Sequence, residues 1–466
     1  MLVEQLYTNC LSEAAYFIAD NGEAAVIDPL RDIDEYLRLA EKHNVKIKYI
    51  FETHFHADFV SGHLDLAKAT GATIVYGPLT NAAFDFHLAK DGEIFNIGEL
   101  KMEVLHTPGH TLESTCYLLK DATGNDYAVF TGDTLFVGDV GRPDLFSGSL
   151  SKEDLATMMY KSLNTKIKTL ADNVIVYPAH GPGSACGKNL GKETFSTIGV
   201  QKATNYALQD QTVEAFVKEV TSGLNTPPAY FPINAEINSK GYESIDNIRS
   251  NALKPLSVEE FEQVAKEAII LDTRNSLEFT NGFVPDSISI GLDGRFAEWA
   301  GSILPFSENI VLVTEEGKEE ETVIRLARVG FDKVIGYLKG GFEAWANAGK
   351  KIDIIIDIEP EELAMDIPFD NKLQVIDVRK PAEFEAGHVK GAENLPLSDL
   401  VNPLHMAQID DEANLYVHCA GGYRSVIACS LMKRQGFHNL RNVLGGFGKM
   451  KDQKGIPVVK PTEMKI

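Results

Sequence analysis

The segment Thr53-His54-Phe55-His56-Ala57-Asp58-Phe59 places two histidines and an aspartate within five residues. It follows the apolar run Ile47 to Phe51, which predicts a buried strand. Imidazole and carboxylate groups at alternate positions of a loop at a strand end are suitable ligands for a divalent metal. The segment therefore predicts a strand that carries metal ligands in the loop at its end.

Three further segments repeat this arrangement of an apolar run followed by polar residues. They are Thr107-Pro108-Gly109-His110-Thr111, Thr131-Gly132-Asp133-Thr134 and Tyr177-Pro178-Ala179-His180-Gly181, and they follow the β-like runs 102–105, 128–130 and 174–177. Strand ends that meet at one edge of a sheet are where an active site is usually built. The ensemble predicts a metal site assembled from four loops.

These four segments, in this order, resemble those of the metallo-β-lactamase superfamily. The resemblance implies an αββα sandwich with its metals at these loops. Dinuclear zinc hydrolases of that fold, such as glyoxalase II, read HxHxDH, and the residue after the aspartate ligates the second metal. Here that residue is Phe59, which has no lone pair to donate. A mononuclear site is therefore favoured.

The branch that works with one ion is that of the persulfide dioxygenases (sulfur dioxygenases), which hold Fe(II) with two histidines and one aspartate. The resemblance implies one Fe(II) per chain on His54, His110 and Asp133, with open positions for substrate sulfur and O2. It also implies that nearby polar residues orient ligands, waters or substrate, namely His56, Asp58 and His180. The alternative is a zinc thioesterase of the glyoxalase II type that uses a metal-bound hydroxide. Phe59 disfavours this alternative.

Composition indicates a large globular enzyme. The 466 residues suggest about three domains. The net charge of −23 argues against nucleic acid and anionic membrane partners, which require basic patches. We see no signal peptide and no run of about 18 apolar residues that could span a membrane. The five scattered cysteines favour a reducing cytoplasm and one or more working thiols.

The second half contains an internal repeat. The segment 270–274 (ILDTR) matches 375–379 (VIDVR), and 338–342 (LKGGF) matches 443–447 (VLGGF). Apolar β-rich runs alternate with helical patterns in both copies, which predicts small parallel sheets flanked by helices. The unit resembles the rhodanese domain, a sulfane-sulfur transferase module.

The second copy carries the segment Cys419-Ala420-Gly421-Gly422-Tyr423-Arg424-Ser425 before an apolar helical pattern. It resembles the rhodanese active-site loop, which begins with the nucleophilic cysteine. Backbone N–H groups and a helix N-terminus stabilise a thiolate. We expect Gly421 and Gly422 to let the backbone curl and, together with Ser425, to bind the substrate. We expect Arg424 to act beside Cys419 in catalysis by attracting an anion such as sulfite or thiosulfate.

The first copy has no cysteine. At the position equivalent to the Cys419 loop it reads Val313-Thr314-Glu315-Glu316. We interpret it as a structural or docking module. The predicted architecture is an α/β chain with the αββα metallo-β-lactamase sandwich first, followed by two small rhodanese-type parallel α/β domains. The predicted boundaries are 1–245 for the metal domain, 246–355 for the degenerate copy and 356–466 for the active copy.

Weaker signals accompany the metal motifs. Arg142, within Gly141-Arg142-Pro143-Asp144, either contacts a substrate carboxylate or holds its loop through Asp144. Lys188 is a candidate for binding an anionic thiol. Cys186 is either a redox or sulfur-carrying thiol near the metal or, more simply, a buried small residue.

The resemblance as a whole implies that a low-molecular-weight thiol persulfide is oxidised by O2 to sulfite, and that Cys419 transfers sulfur between persulfide, sulfite and thiosulfate in sulfide detoxification. A second alternative is a non-catalytic persulfide carrier or sensor. The carrier thiol and the direction of sulfur flow remain open. We expect a cytoplasmic homo-oligomer with no nucleic-acid or membrane partner.

Overall fold

The computed structural model describes residues 1–145, 150–407, 409–410 and 412–460. The chain forms two compact units. The first contains Met1–Asn247 and Ile324–Asp332, and the second contains Ile248–Val323 and Lys333–Ile466. The three-domain boundaries stay a prediction, and residues 461–466 of the third lie outside the described residues.

The first unit holds two β-sheets. Its strands are β1 (Leu2–Thr8), β2 (Glu13–Asp20), β3 (Glu23–Ile27), β4 (Lys46–Glu52), β5 (Thr73–Tyr76), β6 (His87–Leu88), β7 (Ile94–Ile97), β8 (Leu100–His106), β9 (Thr115–Lys120), β10 (Asp126–Gly132), β11 (Ile175–Pro178) and β12 (Ser196–Thr197). One sheet has the order β1-β2-β3-β4-β5-β6 and the other β12-β11-β10-β9-β8-β7. The apolar runs before the four motifs are confirmed as β4, β8, β10 and β11.

Helices cover the outer faces of both sheets. They are α1 (Asp34–Lys42), α2 (His63–Thr70), α3 (Lys152–Ser162), α4 (Ile198–Thr204) and α5 (Val213–Thr221). Two further helices follow along the chain, α6 (Phe231–Lys240) and α7 (Ile245–Ala252). Phe51 of one sheet and Phe130 of the other share the apolar core between the sheets. Two separate apolar cores lie on the outer faces. In one, Leu66 of α2 packs against the first sheet, and in the other, Met159 of α3 packs against the second. Helix, sheet, sheet and helix layers confirm the αββα sandwich.

The segment 324–332 packs within this first unit, although it comes from the first repeat copy. Val60 N–H donates to the Arg328 carbonyl at 2.7 Å. The buried Arg31 guanidinium makes a two-pronged ion pair with Asp332 at 2.6 and 2.8 Å. The segment therefore holds the loop that follows Phe59, since Val60 is the next residue.

The second unit contains the two repeat copies apart from the segment 324–332. Its strands are β13 (Pro255–Leu256), β14 (Ile269–Asp272), β15 (Ile288–Ser289), β16 (Ile310–Val313), β17 (Val334–Leu338), β18 (Ile356–Ile358), β19 (Leu373–Asp377), β20 (His388–Val389), β21 (Glu393–Asn394), β22 (Asn414–His418), β23 (Leu440–Val443) and β24 (Val458–Val459). The main sheets have the orders β13-β17-β16-β14-β15 and β18-β23-β22-β19-β21. Their ladders are parallel, which confirms the predicted parallel α/β architecture.

The remaining helices are α8 (Val258–Val264), α9 (Ser276–Asn281), α10 (Phe296–Ile303), α11 (Glu319–Ala327), α12 (Gly341–Asn347), α13 (Pro360–Asp366), α14 (Pro381–Glu385), α15 (Pro403–Met406), α16 (Tyr423–Arg434) and α17 (Gly446–Met450). Ser257 caps α8 through a reciprocal capping box with Glu260. Helix α16 is buried from Ser425 to Met432, and its Ser430 hydroxyl accepts the Ser289 N–H of the first copy at 3.1 Å.

The two copies share one internal device. Arg274 Nη2 donates to Asp272 at 2.6 Å, and Arg379 Nη2 donates to Asp377 at the same distance. Each guanidinium also lies over a phenylalanine ring, 4.3 Å from the centroid for Arg274 and 4.0 Å for Arg379. The repeat therefore preserves the scaffold even where the cysteine is missing.

Candidate active sites

The four metal motifs meet at one edge of the first unit's sheets. Candidate ligand atoms of His54, His110 and Asp133 all lie within 4.8 Å of one another, and the three residues are buried. Asp133 Oδ2 is 3.4 Å from His110 Nε2 and 3.9 Å from His54 Nε2. The predicted triad is thus brought together, while its role as a metal site stays a prediction.

Both carboxylate oxygens of Asp133 lack a hydrogen-bond partner although the side chain is fully buried. A buried carboxylate without a partner is costly, and a cation would relieve that cost. Burial, together with the neighbouring histidines, holds the pKa of His54 well below its usual value. The neutral imidazole is the form that binds a metal, so the donor set fits a divalent ion.

Contacts on the far side of each ring set the orientation of the histidines. Thr53 Oγ1 donates to Asp28 Oδ2 at 2.8 Å and lies 2.9 Å from His54 Nδ1. Because the single hydroxyl proton goes to Asp28, His54 Nδ1–H must be the donor. His110 Nδ1 donates to the Arg142 carbonyl at 2.8 Å. Both rings therefore turn a free Nε2 towards Asp133.

His180 lies at the edge of the cluster formed by His54, His110 and Asp133, and its ring is also oriented by a backbone carbonyl. Its Nδ1 donates to the Ser12 carbonyl at 3.2 Å, and its Nε2 lies 3.4 Å from Asp133 Oδ1 and 3.5 Å from Asp58 Oδ2. Burial alone would lower the pKa of His180, but Asp58 and Asp133 raise it above the usual value. His56, Asp58 and His180 also bring candidate ligand atoms within 4.8 Å of one another. The metal stoichiometry accordingly stays a prediction.

Phe59 and His56 distinguish this second group from the first. The Phe59 ring is fully buried and packs against the His56 ring, with centroids 4.3 Å apart. His56 Nε2 lies 3.1 Å from Asp28 Oδ1 and 3.7 Å from Glu52 Oε2. The apolar Phe59 ring therefore covers one face of His56, whose Nε2 is directed towards carboxylates.

The Cys419 loop joins β22 to α16 in the second unit. Gly422 N–H donates to Cys419 Sγ at 3.1 Å, and Phe447 N–H donates to the Cys419 carbonyl at 2.7 Å. Gly422 has a left-handed φ of 114° and precedes α16, so its missing Cβ matters. A Cβ at Gly421 would meet nothing within 4 Å and its φ is not left-handed, so the backbone conformation requires a glycine at Gly422 alone.

Two side chains complete this loop. Ser425 Oγ donates to the Gly422 carbonyl at 2.9 Å. Arg424 makes a two-pronged ion pair with Glu383 at 2.7 and 2.8 Å, and this hydrogen bonding lowers the pKa of Glu383. The charge expected to face an anion is thus engaged by a carboxylate, and Arg424 braces the loop.

Comparison with known proteins matches residues 8–180 to the metallo-beta-lactamase superfamily and residues 257–348 and 359–453 to the rhodanese-like domain. The bovine (Bos taurus) mitochondrial persulfide dioxygenase ETHE1 is 30% identical over 49% of this chain and 83% of its own length. The probable hydroxyacylglutathione hydrolase glo2 of Schizosaccharomyces pombe is 36% identical over 39% of this chain and 68% of its own length.

The chain belongs to the metallo-beta-lactamase superfamily.

A solved metallo-beta-lactamase structure from Staphylococcus aureus agrees with this assignment. It is 32% identical, with a TM-score of 0.66, and the match covers 72% of this chain and 99% of that one. The protein is therefore a metallo-beta-lactamase superfamily enzyme that carries two rhodanese-like domains and resembles persulfide dioxygenases. No helix in the described ranges is long and apolar enough to cross a membrane.

Arg142 and Lys188, the two candidate substrate-binding residues of the first unit, both contact neighbouring residues. Arg142 donates to both Asp144 oxygens at 2.7 and 2.9 Å and is nearly fully buried. Of its two predicted roles, this geometry favours holding the loop. Lys188 Nζ donates to the Glu219 and Ser222 carbonyls at the end of α5. Roles for Arg142 and Lys188 in substrate binding stay predictions.

Cys186 lies beside the metal cluster, and its role as a redox or sulfur-carrying thiol stays a prediction. It is buried, and candidate ligand atoms of Cys186, Asp133 and His180 lie within 4.8 Å of one another. Burial, then Asp58 and Asp133, raise the pKa of its thiol well above the usual value. The thiol is therefore adjacent to the cluster and held in its neutral form.

Asn238 of α6 is a site residue that sequence reasoning missed. Its Nδ2 donates to the His56 and Phe59 carbonyls at 2.7 Å, and its Oδ1 accepts the Ser61 N–H at 2.9 Å. These bonds hold the loop that carries Asp58. An asparagine in a helix carries no local signal of such a role, because its partners lie far away in sequence.

Proposed function

We propose that the protein is a persulfide dioxygenase coupled to a sulfurtransferase. The first unit would oxidise the terminal sulfur of a low-molecular-weight thiol persulfide with O2, giving sulfite and the free thiol. The second would transfer sulfane sulfur through Cys419, with sulfite or thiosulfate as its inorganic partner. Sulfide detoxification in the cytoplasm is the role that fits these reactions.

The observation that carries the proposal is the buried triad of His54, His110 and Asp133 beside Phe59. These three residues would hold one ferrous ion, which when bound supplies open positions and electrons for O2 chemistry. Thr53 and the Arg142 carbonyl keep Nε2 of both histidines directed inward. The likeness to ETHE1 supports the same activity.

The surrounding residues prepare the site for a polar substrate. Asp58 and His180 lie 3.5 Å apart at the edge of the triad, where they can orient a water or the persulfide. Burial raises the pKa of Asp58, and Asp58 in turn raises the pKa of His180. The pair would hold a proton between its members and pass it to the departing thiol.

Sulfur transfer rests on the cradle of Cys419. A backbone N–H already contacts Sγ, and the loop ends at the N-terminus of α16. Both features favour negative charge on sulfur and on its persulfide. The match to the rhodanese-like domain supports this part.

Thioester hydrolysis with zinc is the second candidate. It is favoured by the group His56, Asp58 and His180 and by the likeness to the S. pombe hydroxyacylglutathione hydrolase. One preparation distinguishes the two reactions. Protein purified without O2 is assayed for O2 uptake with glutathione persulfide and for hydrolysis of S-lactoylglutathione. We expect uptake that requires iron; zinc-dependent hydrolysis without O2 uptake would contradict the proposal.

A further inference from the structure

Segment 324–332 comes from the cysteine-less copy, yet it packs within the first unit and pairs there with two consecutive residues, Arg31 and Asp32. Arg31 donates to both carboxylate oxygens of Asp332 at 2.6 and 2.8 Å. Arg328 donates to both oxygens of Asp32 at 2.7 and 2.8 Å. We call these two ion pairs the charge clamp. Their polarities are opposite and both are two-pronged, so together they fix the position and the register of the segment.

Both cations of the charge clamp are largely withdrawn from water. The side chain of Arg31 is 0% exposed and that of Arg328 is 17% exposed. Arg31 also donates to the carbonyls of Ala327 and Glu243, at 2.8 and 3.0 Å. A buried guanidinium that loses its carboxylate keeps an uncompensated charge, unlike a member of a surface pair. A broken pair should therefore displace the loops that carry it.

The loop 28–32 begins with Asp28, whose carboxylate contacts the first metal motif. It accepts the Thr53 N–H at 2.7 Å and the Thr53 hydroxyl at 2.8 Å, and that hydroxyl oxygen lies 2.9 Å from His54 Nδ1. Asp28 Oδ1 also lies 3.1 Å from His56 Nε2. The position of this one carboxylate therefore sets the orientation of the His54 ring, which is a predicted metal ligand.

Asp28 has a backbone conformation that is uncommon for a residue with a side chain. Its φ is 49°, in the left-handed region. Such a residue keeps this conformation only where the surrounding structure fixes it. On one side its N–H donates to the Phe51 carbonyl at 2.9 Å, and on the other the charge clamp fixes the chain at Asp32. The charge clamp thus contributes to holding the Asp28 carboxylate in place.

Arg328 also fixes the loop that carries Asp58. Its carbonyl accepts the Val60 N–H at 2.7 Å, and Val60 is fully buried. This loop lies directly against the loop 28–32, since a Cβ added at Gly62 would stand 2.1 Å from the Leu30 carbonyl oxygen. A single residue therefore holds both loops, the first through its side chain and the second through its main chain.

The active copy does not carry the same charges. Aligned on Gly330-Phe331 and Gly436-Phe437, the two copies place His438 opposite Asp332. The carboxylate that Arg31 requires is thus present only in the copy that has lost its cysteine.

We propose that the charge clamp positions the metal centre, and that the cysteine-less copy supplies Arg328 and Asp332 for this purpose. Both are positioning residues, because they act through Asp28 and Thr53 on the ring of His54. This role rests on the metal centre put forward above as part of the proposed function. It gives the copy without a nucleophile a part in the reaction of the first unit.

The test breaks one pair of the charge clamp and then restores it with exchanged polarity. Arg328→Asp sets two carboxylates against each other, and the double variant Arg328→Asp with Asp32→Arg pairs them again. Full-length protein loaded with cobalt(II) is titrated with EDTA. We expect Arg328→Asp to weaken metal retention on the order of tenfold, the scale of a contact that orients a metal ligand. The double variant should return to within about threefold of the unchanged protein.

The visible absorption spectrum of the cobalt(II) protein is the second readout. A loss of stability alone would lower the intensity of its bands, whereas a turned His54 ring moves them. We expect the bands to move in Arg328→Asp and to return in the double variant. Asp332→Asn, a milder change that removes the charge facing Arg31, should move them in the same direction and weaken retention severalfold.

Lys168→Asp is the matched control, because Lys168 pairs with Asp210 in the same unit and its side chain is 26% exposed. It should change neither readout. Unchanged retention and bands in Arg328→Asp or in Asp332→Asn, no recovery in the double variant, or an equal effect of Lys168→Asp would each overturn the proposal. Neither readout needs O2 or a persulfide. Absence of O2 uptake by the unchanged protein would therefore count against the dioxygenase, while the cobalt(II) series still decides the role of the charge clamp.

Discussion

The metal cluster and the Cys419 loop are built in opposite ways. The cluster gathers side chains from loops far apart in the chain, and several buried ligand atoms have no protein partner, among them both oxygens of Asp133 and Nε2 of His180. The Cys419 loop is one short segment, and its sulfur, its serine and its arginine all have protein partners.

This difference leads us to expect that only the metal cluster depends on a bound group. Buried polar atoms without partners are costly, and an ion bound at the cluster would relieve that cost. The loop is complete as the chain folds it. Because the two centres share no residue, each should be removable without the other, and the predictions below test that separation.

The largest effect is expected from the metal ligands. His54→Ala and Asp133→Ala should abolish persulfide-dependent O2 uptake, because each removes one of three donors. Sulfur transfer from thiosulfate should stay within about twofold of the unchanged protein. His87→Ala, a change at an exposed histidine of the same unit, should affect neither. Loss of both activities in Asp133→Ala would show that the centres are coupled.

Cys419→Ser should have the opposite pattern of effects on the two activities. It should eliminate sulfur transfer, keep O2 uptake and shift the product from thiosulfate to sulfite, as followed by chromatography of the sulfur oxyanions. Cys10→Ser provides the same chemical change outside both centres. Loss of O2 uptake in Cys419→Ser would mean that this cysteine delivers sulfur to the metal site, and unchanged product and rate would make Cys186 the next thiol to test.

Phe59→His tests what limits the cluster to one ion. Adding the missing donor should raise zinc content towards two per chain and weaken persulfide oxidation, measured by elemental analysis and O2 uptake. Phe59→Leu removes the ring without adding a donor, so it controls for lost packing of this buried side chain. Unchanged metal content in Phe59→His would show that another feature, such as the position of Asp58 or His180, closes the second site.

The smallest effect concerns the brace of the Cys419 loop. Arg424→Ala and Glu383→Gln should each slow sulfur transfer only severalfold, because the nucleophile remains. The pKa of Glu383 is lowered in the folded chain. The pair therefore contributes stability above the ordinary carboxylate pKa, and that contribution is lost as the pH falls through the lowered value. The stability difference between Glu383→Gln and the unchanged protein should vanish on acidification; a difference that persists at low pH would contradict this account.

The sequence predicted local features well and distant partners poorly. The strands before each motif, the layered architecture and the parallel repeats follow from apolar periodicity and motif order. The partners of Arg424 and Arg142 could not be derived, because an arginine's nearest carboxylate depends on the fold. Neither Asn238 nor Asp28 belongs to a motif. Asn238 holds the loop that carries Asp58, and Asp28 accepts the proton of the Thr53 hydroxyl that faces the His54 ring. Phe59 was informative because an apolar residue replaced an expected ligand.

One measurement tests the central claim most directly: metal content and reaction stoichiometry on the same sample, purified without O2. The account predicts one iron per chain, and one O2 consumed for each sulfite formed from glutathione persulfide by Cys419→Ser protein. Two zinc ions per chain and no O2 consumption would contradict it.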